Sequence, residues 1–426
     1  MAMQNRRIFF NTLWMLFDRV FILVLKLVVI VKIANYYGPQ EYGMYQYAVS
    51  VVAIFEMCVT FVDGRVVKKK YENNAPENLV WNATLSRMLF SVLALLIGTI
   101  YLLLSGENAE YNLIFIILLL NSIIINVRFG MQNRYEYIYK AKKIVISSNI
   151  ALTIGGFLQL VAVYFNFAIS VIAIITAISS LICLVIIYKQ YQKDFGSIFK
   201  GKFSRKIIQE LVQESIPLAI AASCATIYSR CDSIMIGNML SKAEVGIYAI
   251  AVNLIHVVEI ALIPIRESVF PKMIQLYRTD LKQYERRYIQ ITAVMTWVYI
   301  LGVSASFIIL PILFEFMNAE YALAYPIYKI YVISAFFMYN AGLRAGHYAI
   351  INRGSILMYS QIISVIANVI LNYLLIKTIG VYGAAIATVI TECISLWISN
   401  IFFGRTGREV LIWQIMGLNP LHIFKQ

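Results

Sequence analysis

The chain has 426 residues, of which 61% are hydrophobic and only 14% charged, where a soluble globular protein carries roughly 25% charged residues. With a mean hydropathy of +0.75 and long charge-free runs, it cannot be a secreted domain, a cytosolic enzyme or a disordered tail, because a soluble surface needs more polar side chains. The net charge of +14 would point to nucleic acid in a soluble protein. In a membrane protein its distribution matters more, since Lys and Arg are retained on the cytoplasmic side.

Arg6 and Arg7 precede an apolar run, as in a signal peptide. The run continues to Ala34 with no small-residue cleavage site, so it reads as a first membrane span. A helix needs about 20 apolar residues to cross ~30 Å of hydrocarbon. Twelve segments meet or approach that length: 9–34, 41–62, 79–104, 112–138, 144–164 and 169–187, then 216–240, 245–270, 288–310, 325–351, 356–376 and 381–403. The runs are continuous and do not alternate every second residue, which indicates helices and not a barrel.

Of the 36 Lys and Arg, 25 fall on the side that holds the N-terminus. They include Lys68, Lys69 and Lys70, Lys140, Lys142 and Lys143, and Arg286 and Arg287; only Lys242 and Lys377 fall opposite. This asymmetry puts both termini in the cytoplasm. Nine cations remain inside spans: Arg19, Lys26, Lys32, Arg87, Arg128, Arg230, Arg266, Lys329 and Arg344. The five cysteines lie in apolar segments with no CxxC or Cys/His spacing, and His256, His347 and His422 lack ligand partners at helical spacing, so neither a metal site nor a disulfide framework is expected.

The longest basic linker, 188–208, divides the spans into two sets of six. Glu41-Tyr42-Gly43-Met44-Tyr45 with Ala48 recurs as Glu244-Val245-Gly246-Ile247-Tyr248 with Ala251, and without a gap Glu56 falls on Glu259. A short motif at the same point of each half is what a duplicated six-helix bundle predicts. Six being even, both halves keep one orientation, the parallel-repeat plan of transporters that rock two bundles about a cavity.

Tyr37-Gly38-Pro39-Gln40-Glu41-Tyr42-Gly43-Met44-Tyr45 resembles a signature after the first span of bacterial polysaccharide flippases. Ser229-Arg230-Cys231-Asp232-Ser233-Ile234-Met235-Ile236-Gly237 resembles their seventh-span pattern. Asn318-Ala319-Glu320-Tyr321 and the run that opens with Gly380-Val381-Tyr382-Gly383-Ala384 fit as well, in order. The chain thus resembles a Wzx-type O-antigen/polysaccharide flippase of the multidrug/oligosaccharidyl-lipid/polysaccharide superfamily. That resemblance implies an all-α integral membrane protein of 12 transmembrane helices, as two pseudo-symmetric six-helix bundles in a V-shaped, MATE-like arrangement. The expected divisions are 1–188 and 209–404 for the bundles, 189–208 for a basic cytoplasmic linker and 405–426 for a cytoplasmic tail. It also implies a monomer in the bacterial inner membrane that is not an enzyme. Its substrate would be an undecaprenyl-pyrophosphate-linked oligosaccharide, moved from the cytoplasmic to the periplasmic leaflet, with a polysaccharide polymerase and a chain-length regulator as partners.

Charges inside the membrane are the candidate site. An ionised group at the bilayer centre costs about 2.5–3.5 kcal/mol even on the lenient scale, so it faces protein or water. Arg19 and Lys26 stand seven residues apart on one helix face. With Arg128, Arg230, Arg266 and Arg344 they form the expected substrate-binding set, because Arg replaces the lost hydration of a pyrophosphate bidentately and Lys as a point charge. The bland alternatives are specific too. Lys32, Arg87, Lys329 and Arg344 are near enough to span ends to snorkel. Arg266 lies seven residues after Glu259 on the same helix face, so the two can pair, and Asp18 and Asp232 can neutralise Arg19 and Arg230. No P-loop and no large soluble domain is present to use ATP. Asp18, Glu56, Asp232 and Glu259 are therefore the expected coupling groups, for a proton or a sodium ion. The apolar stretch 410–418 is expected to lie along the membrane surface. Two other readings compete: an ion-coupled multidrug exporter, for which a cationic cavity has the wrong sign, and a membrane polymerase or glycosyltransferase, for which no DxD, HExxH or sizeable loop exists.

Overall fold

The structure, a computed structural model, describes residues 2–260, 272–351 and 353–419, and within them the side chains of all but 2–21, 23 and 256–260. The described residues form helices and turns, with no β-strand. Helix α1 runs Ala2–Glu56 with a break at Gly38 (φ 69, ψ 174), a conformation that glycine tolerates, and Pro39 restarts the helix. Helix α2 covers Gly64–Lys70, α3 Pro76–Ser105, α4 Ala109–Val127, α5 Phe129–Tyr137, α6 Lys142–Tyr164 and α7 Ile169–Phe195. The boundaries follow capping rules. Pro76 and Glu77 open α3 and left-handed Gly106 closes it, while Asn108 opens α4 by accepting from the Tyr111 N–H at 2.8 Å.

The second half holds α8 (Arg205–Met239), α9 (Lys242–Ile260), α10 (Leu281–Glu315), α11 (Ala324–Ile350), α12 (Gly354–Ile379) and α13 (Val381–Cys393). A π-turn, Ile394–Ile398, then leads into the short α14 (Ser399–Phe402) and the tail helix α15 (Gly404–Met416).

The exterior is apolar, as that of a soluble protein is not: Leu103, Leu104 and Ile308 are 81%, 82% and 70% exposed, while the largely apolar core also holds Asn82, Asn368, Asn372 and Asn400, fully buried. An apolar exterior fits a hydrocarbon solvent, in which backbone and side-chain polar groups must find partners inside the protein. Ten helices among the described residues are long and apolar enough to cross a membrane, so this is a multi-pass membrane protein. The expectation of twelve differs for two reasons. The run Val24–Lys70 counts once although Gly38 interrupts the helix within it, and the expected span 245–270 passes into residues outside the described set.

The chain divides into two compact units that do not follow the expected bounds. Unit 1 holds 1–37 and 44–226; unit 2 holds 38–43 and 227–426. The basic linker belongs to unit 1, because hydrogen bonds and ion pairs staple it there. Lys202 N–H donates to Asn78 Oδ1 and Ser204 N–H to Asn82 Oδ1, both at 2.8 Å. Lys70 pairs with Glu210 at 2.7 Å and Glu214 at 2.6 Å, and the Asp63 N–H donates to Ser215 Oγ.

In unit 2 the two copies of the short repeat cross. A Cβ added at Gly43 would stand 1.7 Å from the Lys242 carbonyl oxygen, and one at Gly246 would stand 2.4 Å from that of Pro39. Each glycine thus rests on the carbonyl four residues before the other glycine, so the repeat read along the sequence is also a pseudo-two-fold contact in space. In the tail, Val410 and Trp413 are buried in a cluster with Tyr284, Tyr288, Leu343 and Tyr348, so one face of the helix covers the protein's own core, while Ile412, Ile415 and Met416 stay exposed.

Candidate functional site

In unit 1, α1, α6 and α7 enclose a groove of about 210 Å³. Its walls are apolar (Ile22, Leu25, Val29, Leu152), and Gln159, Thr176, Ser179 and Ser180 bring polar atoms to it. Glycines let the helices close on each other here: a Cβ at Gly155 would stand 2.7 Å from Ser179 Oγ and one at Gly156 3.3 Å from Val29 Cγ2. The polar side is ordered, with Gln159 Nε2 donating to Thr176 Oγ1 at 3.2 Å, Thr176 to the Ile172 carbonyl and Ser179 to the Ala151 carbonyl. Lys26 lines this groove and is exposed. An ammonium beside apolar walls and hydroxyls suits an anionic amphiphile.

Among the described side chains, none of the other expected cations lines this groove. Arg19 lies on α1 with its side chain outside the described set, as does that of Asp18; Arg266 lies outside the described residues altogether. Arg128 occupies the break between α4 and α5, half-buried, and its Nε has no hydrogen-bond partner among the described residues. Arg87 does not snorkel. Its Nε donates to the Val62 carbonyl at 2.8 Å, Nη1 donates to Asn126 Oδ1 at 3.3 Å, and the guanidinium lies 3.9 Å over the Phe129 ring. Arg230 is half-buried on α8.

The acids resolve more sharply. Glu56 ends α1, half-buried, and the Glu259 side chain is outside the described set. Asp232, on α8, is buried in unit 2 and does not neutralise Arg230, contrary to one expectation. Its Oδ2 accepts from Tyr248 at 2.5 Å and from Thr388 at 2.8 Å, and its Oδ1 accepts from Asn372 Nδ2 at 2.7 Å. Asn372 Nδ2 also reaches Asn368 Oδ1 at 3.0 Å. Four helices, α8, α9, α12 and α13, therefore meet on one carboxylate. Hydrogen bonds to a charged group contribute roughly 1.5–3 kcal/mol each, enough to keep a buried carboxylate in place. The oxygen of Asn372 is buried without a partner, which leaves a free acceptor beside the acid. Among the described residues no group of three or more His, Cys, Asp or Glu side chains could hold a metal ion.

Three residues went unread in the sequence. Glu392 is buried on α13 and accepts from Tyr228 Oη at 2.7 Å; its signal was an acid in the middle of an apolar run. Asn368 and Asn372 are spaced i, i+4 in another span, and that amide stripe was the legible trace of the Asp232 cluster. Arg344 must be corrected. It is 2% exposed, and its donors go to Asn400, Ser360 and Ser399, so it neither snorkels nor stands open to a substrate. It joins helices within unit 2.

Comparisons with known proteins agree with this architecture. The chain is similar in structure to an inward-facing multidrug resistance MATE family transporter of the MOP superfamily, at TM-score 0.73 and 13% identity, over 93% of this chain and 94% of that one. It is similar to the lipid II flippase MurJ in an inward closed conformation, at TM-score 0.75 and 15% identity, over 94% and 90%. An outward-facing MATE family transporter matches at TM-score 0.57 and 13% identity, over 93% and 92%. Identities this low establish the fold, which is MATE- and MurJ-like. No curated protein sequence matches the chain. Residues 8–277, well over half of the sequence, match the family described as polysaccharide biosynthesis protein, and the chain belongs to that family.

Proposed function

We propose that the protein moves an undecaprenyl-pyrophosphate-linked oligosaccharide, an O-antigen or similar repeat unit, from the cytoplasmic to the periplasmic leaflet of the bacterial inner membrane. The observation that carries this reading is Lys26. It is a cation within a membrane-spanning helix, exposed in a groove with apolar walls and a hydroxyl-rich side, in a member of a polysaccharide biosynthesis family. Such a groove suits a phosphate-headed lipid better than a cationic drug, which favours this reading over the multidrug one. Twelve spans in two six-helix bundles, alternating access and cytoplasmic termini belong to the same proposal, and Arg19, Arg128, Arg230 and Arg266 complete the anion-binding set. A polysaccharide polymerase and a chain-length regulator are the proposed partners downstream.

The driving force we assign to a monovalent cation, a proton or sodium, at Asp232. One carboxylate with amide and hydroxyl oxygens and no second acid bonded to it suits a single positive charge better than a divalent ion. Purified protein in liposomes, supplied with a labelled lipid-linked sugar on one face, tests the whole reading. Relocation of intact lipid that steepens with an imposed proton or sodium gradient supports it. Covalent change of the lipid, or export of cationic dyes in place of the lipid, overturns it.

A further inference from the structure

Arg344 sits in a second closed cluster whose charge is unbalanced. Its Nε donates to Asn400 Oδ1 at 2.9 Å, and Nη2 donates to Ser360 Oγ at 2.8 Å and Ser399 Oγ at 3.1 Å. The Tyr348 ring lies 5.2 Å from the guanidinium. All of these partners are neutral. Glu392 acts on Arg344 only at electrostatic range, and its Oε1 accepts from Tyr228. A guanidinium removed from water ordinarily finds a carboxylate or phosphate.

In the same cluster, reached from Arg344 through Asn400 and the Tyr348 and His347 rings, three buried groups have no hydrogen-bond partner among the described residues: Gln414 Nε2, Tyr288 Oη and His347 Nε2. Their residues are 0%, 0% and 4% exposed. The hydrogen bonds orient Gln414 as a donor. Asn400 Oδ1 is taken by Arg344 and by Tyr348 Oη, so the Asn400 amide nitrogen faces Gln414 and donates to its Oε1 at 3.1 Å. That leaves the Gln414 amide nitrogen directed elsewhere. Tyr284 Oη and His347 Nδ1 share a hydrogen bond at 2.7 Å; in the tautomer in which the hydroxyl donates, Nε2 carries the proton. Tyr288 packs against both the His347 ring and Trp413. One cation, an unanswered amide donor, two unpartnered groups able to donate and no bonded carboxylate describe an anion site.

We infer that this cluster, enclosed by α10, α11, α12, α14 and the tail helix α15, binds one small inorganic anion of the halide class. Its lining residues are almost fully buried, so the occupant is small and leaves its hydration behind, which favours chloride over phosphate or sulfate. Gln414 belongs to the tail helix, so the anion also latches that helix onto unit 2. This site is separate from the lipid-binding groove and stands whether or not the transport reading does.

The test is thermal unfolding of the full-length protein in detergent, titrated from gluconate into chloride or bromide at constant ionic strength. A saturable rise in midpoint of roughly 2–4 °C is expected once the halide well exceeds its dissociation constant. Gln414→Glu places a carboxylate where the anion would sit. It should abolish the halide response and raise the midpoint in gluconate toward that of the native protein in chloride. Equal midpoints in gluconate and chloride would mean that water fills the cluster, and would overturn the inference. A full halide response in Gln414→Glu, or the same rise with sulfate or phosphate, would do the same. Should that variant fail to fold, Tyr288→Phe removes one donor at nearly constant volume, and its apparent chloride affinity should fall several-fold; an unchanged affinity rejects the site.

Discussion

Units 1 and 2 share a helical plan but handle charge in opposite ways. Within unit 1, apart from the bonded Arg87, Lys26 keeps its ammonium in an open groove, and the acids that are paired, Asp63, Glu136, Asp194, Glu210 and Glu214, meet cations near helix ends. Unit 2 buries charge and surrounds it with neutral donors and acceptors, at Asp232 and again at Arg344. An open cation remains available to a passing anion. A caged acid changes protonation or ion occupancy only when its cage rearranges, which is what coupling to a conformational change requires. On the proposed reading, binding falls to the first unit and coupling to the second.

The strongest way to break this comparison is at Asp232. Asp232→Ala leaves the Tyr248, Thr388 and Asn372 donors without an acceptor, and each orphan costs about 1–3 kcal/mol, so unit 2 should lose much of its stability. Asp232→Asn keeps the shape without the charge. Its unfolding midpoint should hold, while gradient-driven transport falls by roughly 5–150-fold, the span of ordinary coupling energies. Full gradient dependence in a folded Asp232→Asn protein would remove coupling from this unit.

The glycine crossing comes next. Gly43→Ala puts a Cβ against the Lys242 carbonyl, and overpacking of this kind costs about 1–3 kcal/mol or more. Gly246→Ala should behave alike, because the two contacts mirror each other; an unchanged melting midpoint for either would show that the crossing is loose.

Lys26 should separate binding from stability. Lys26→Glu is expected to lower lipid transport about tenfold, the equivalent of 1.4 kcal/mol, with the midpoint unaffected because the side chain is exposed. A loss of folding there would mean that unit 1 uses this charge structurally. Smallest of all, Lys70→Ala releases ion pairs to partly exposed Glu210 and Glu214 and should barely shift the midpoint, since surface pairs are weak and screened by salt.

Particular residues show how far the sequence could be read. The membrane class, the helical runs and the repeat around Gly43 and Gly246 were legible, because hydropathy and local spacing are properties of neighbouring residues. Lys26 and Asp232 stood out as charges within apolar runs. Arg344 stood out for the same reason and was assigned to the substrate path. A cation in a span looks alike in sequence whether it faces a cavity or four neutral side chains brought from residues 360, 399, 400 and 348. Glu392 was equally visible, but nothing local connected it to Tyr228, 164 residues away.

The amino-acid order alone decided that this chain lives in a bilayer and roughly where its helices begin and end. These follow from transfer free energy and from helix geometry, which act over a few turns of chain. Which charges stand open and which are enclosed was decided only when distant helices met. A buried ion is stable by virtue of the partners that surround it, and those partners come from four or five segments at once.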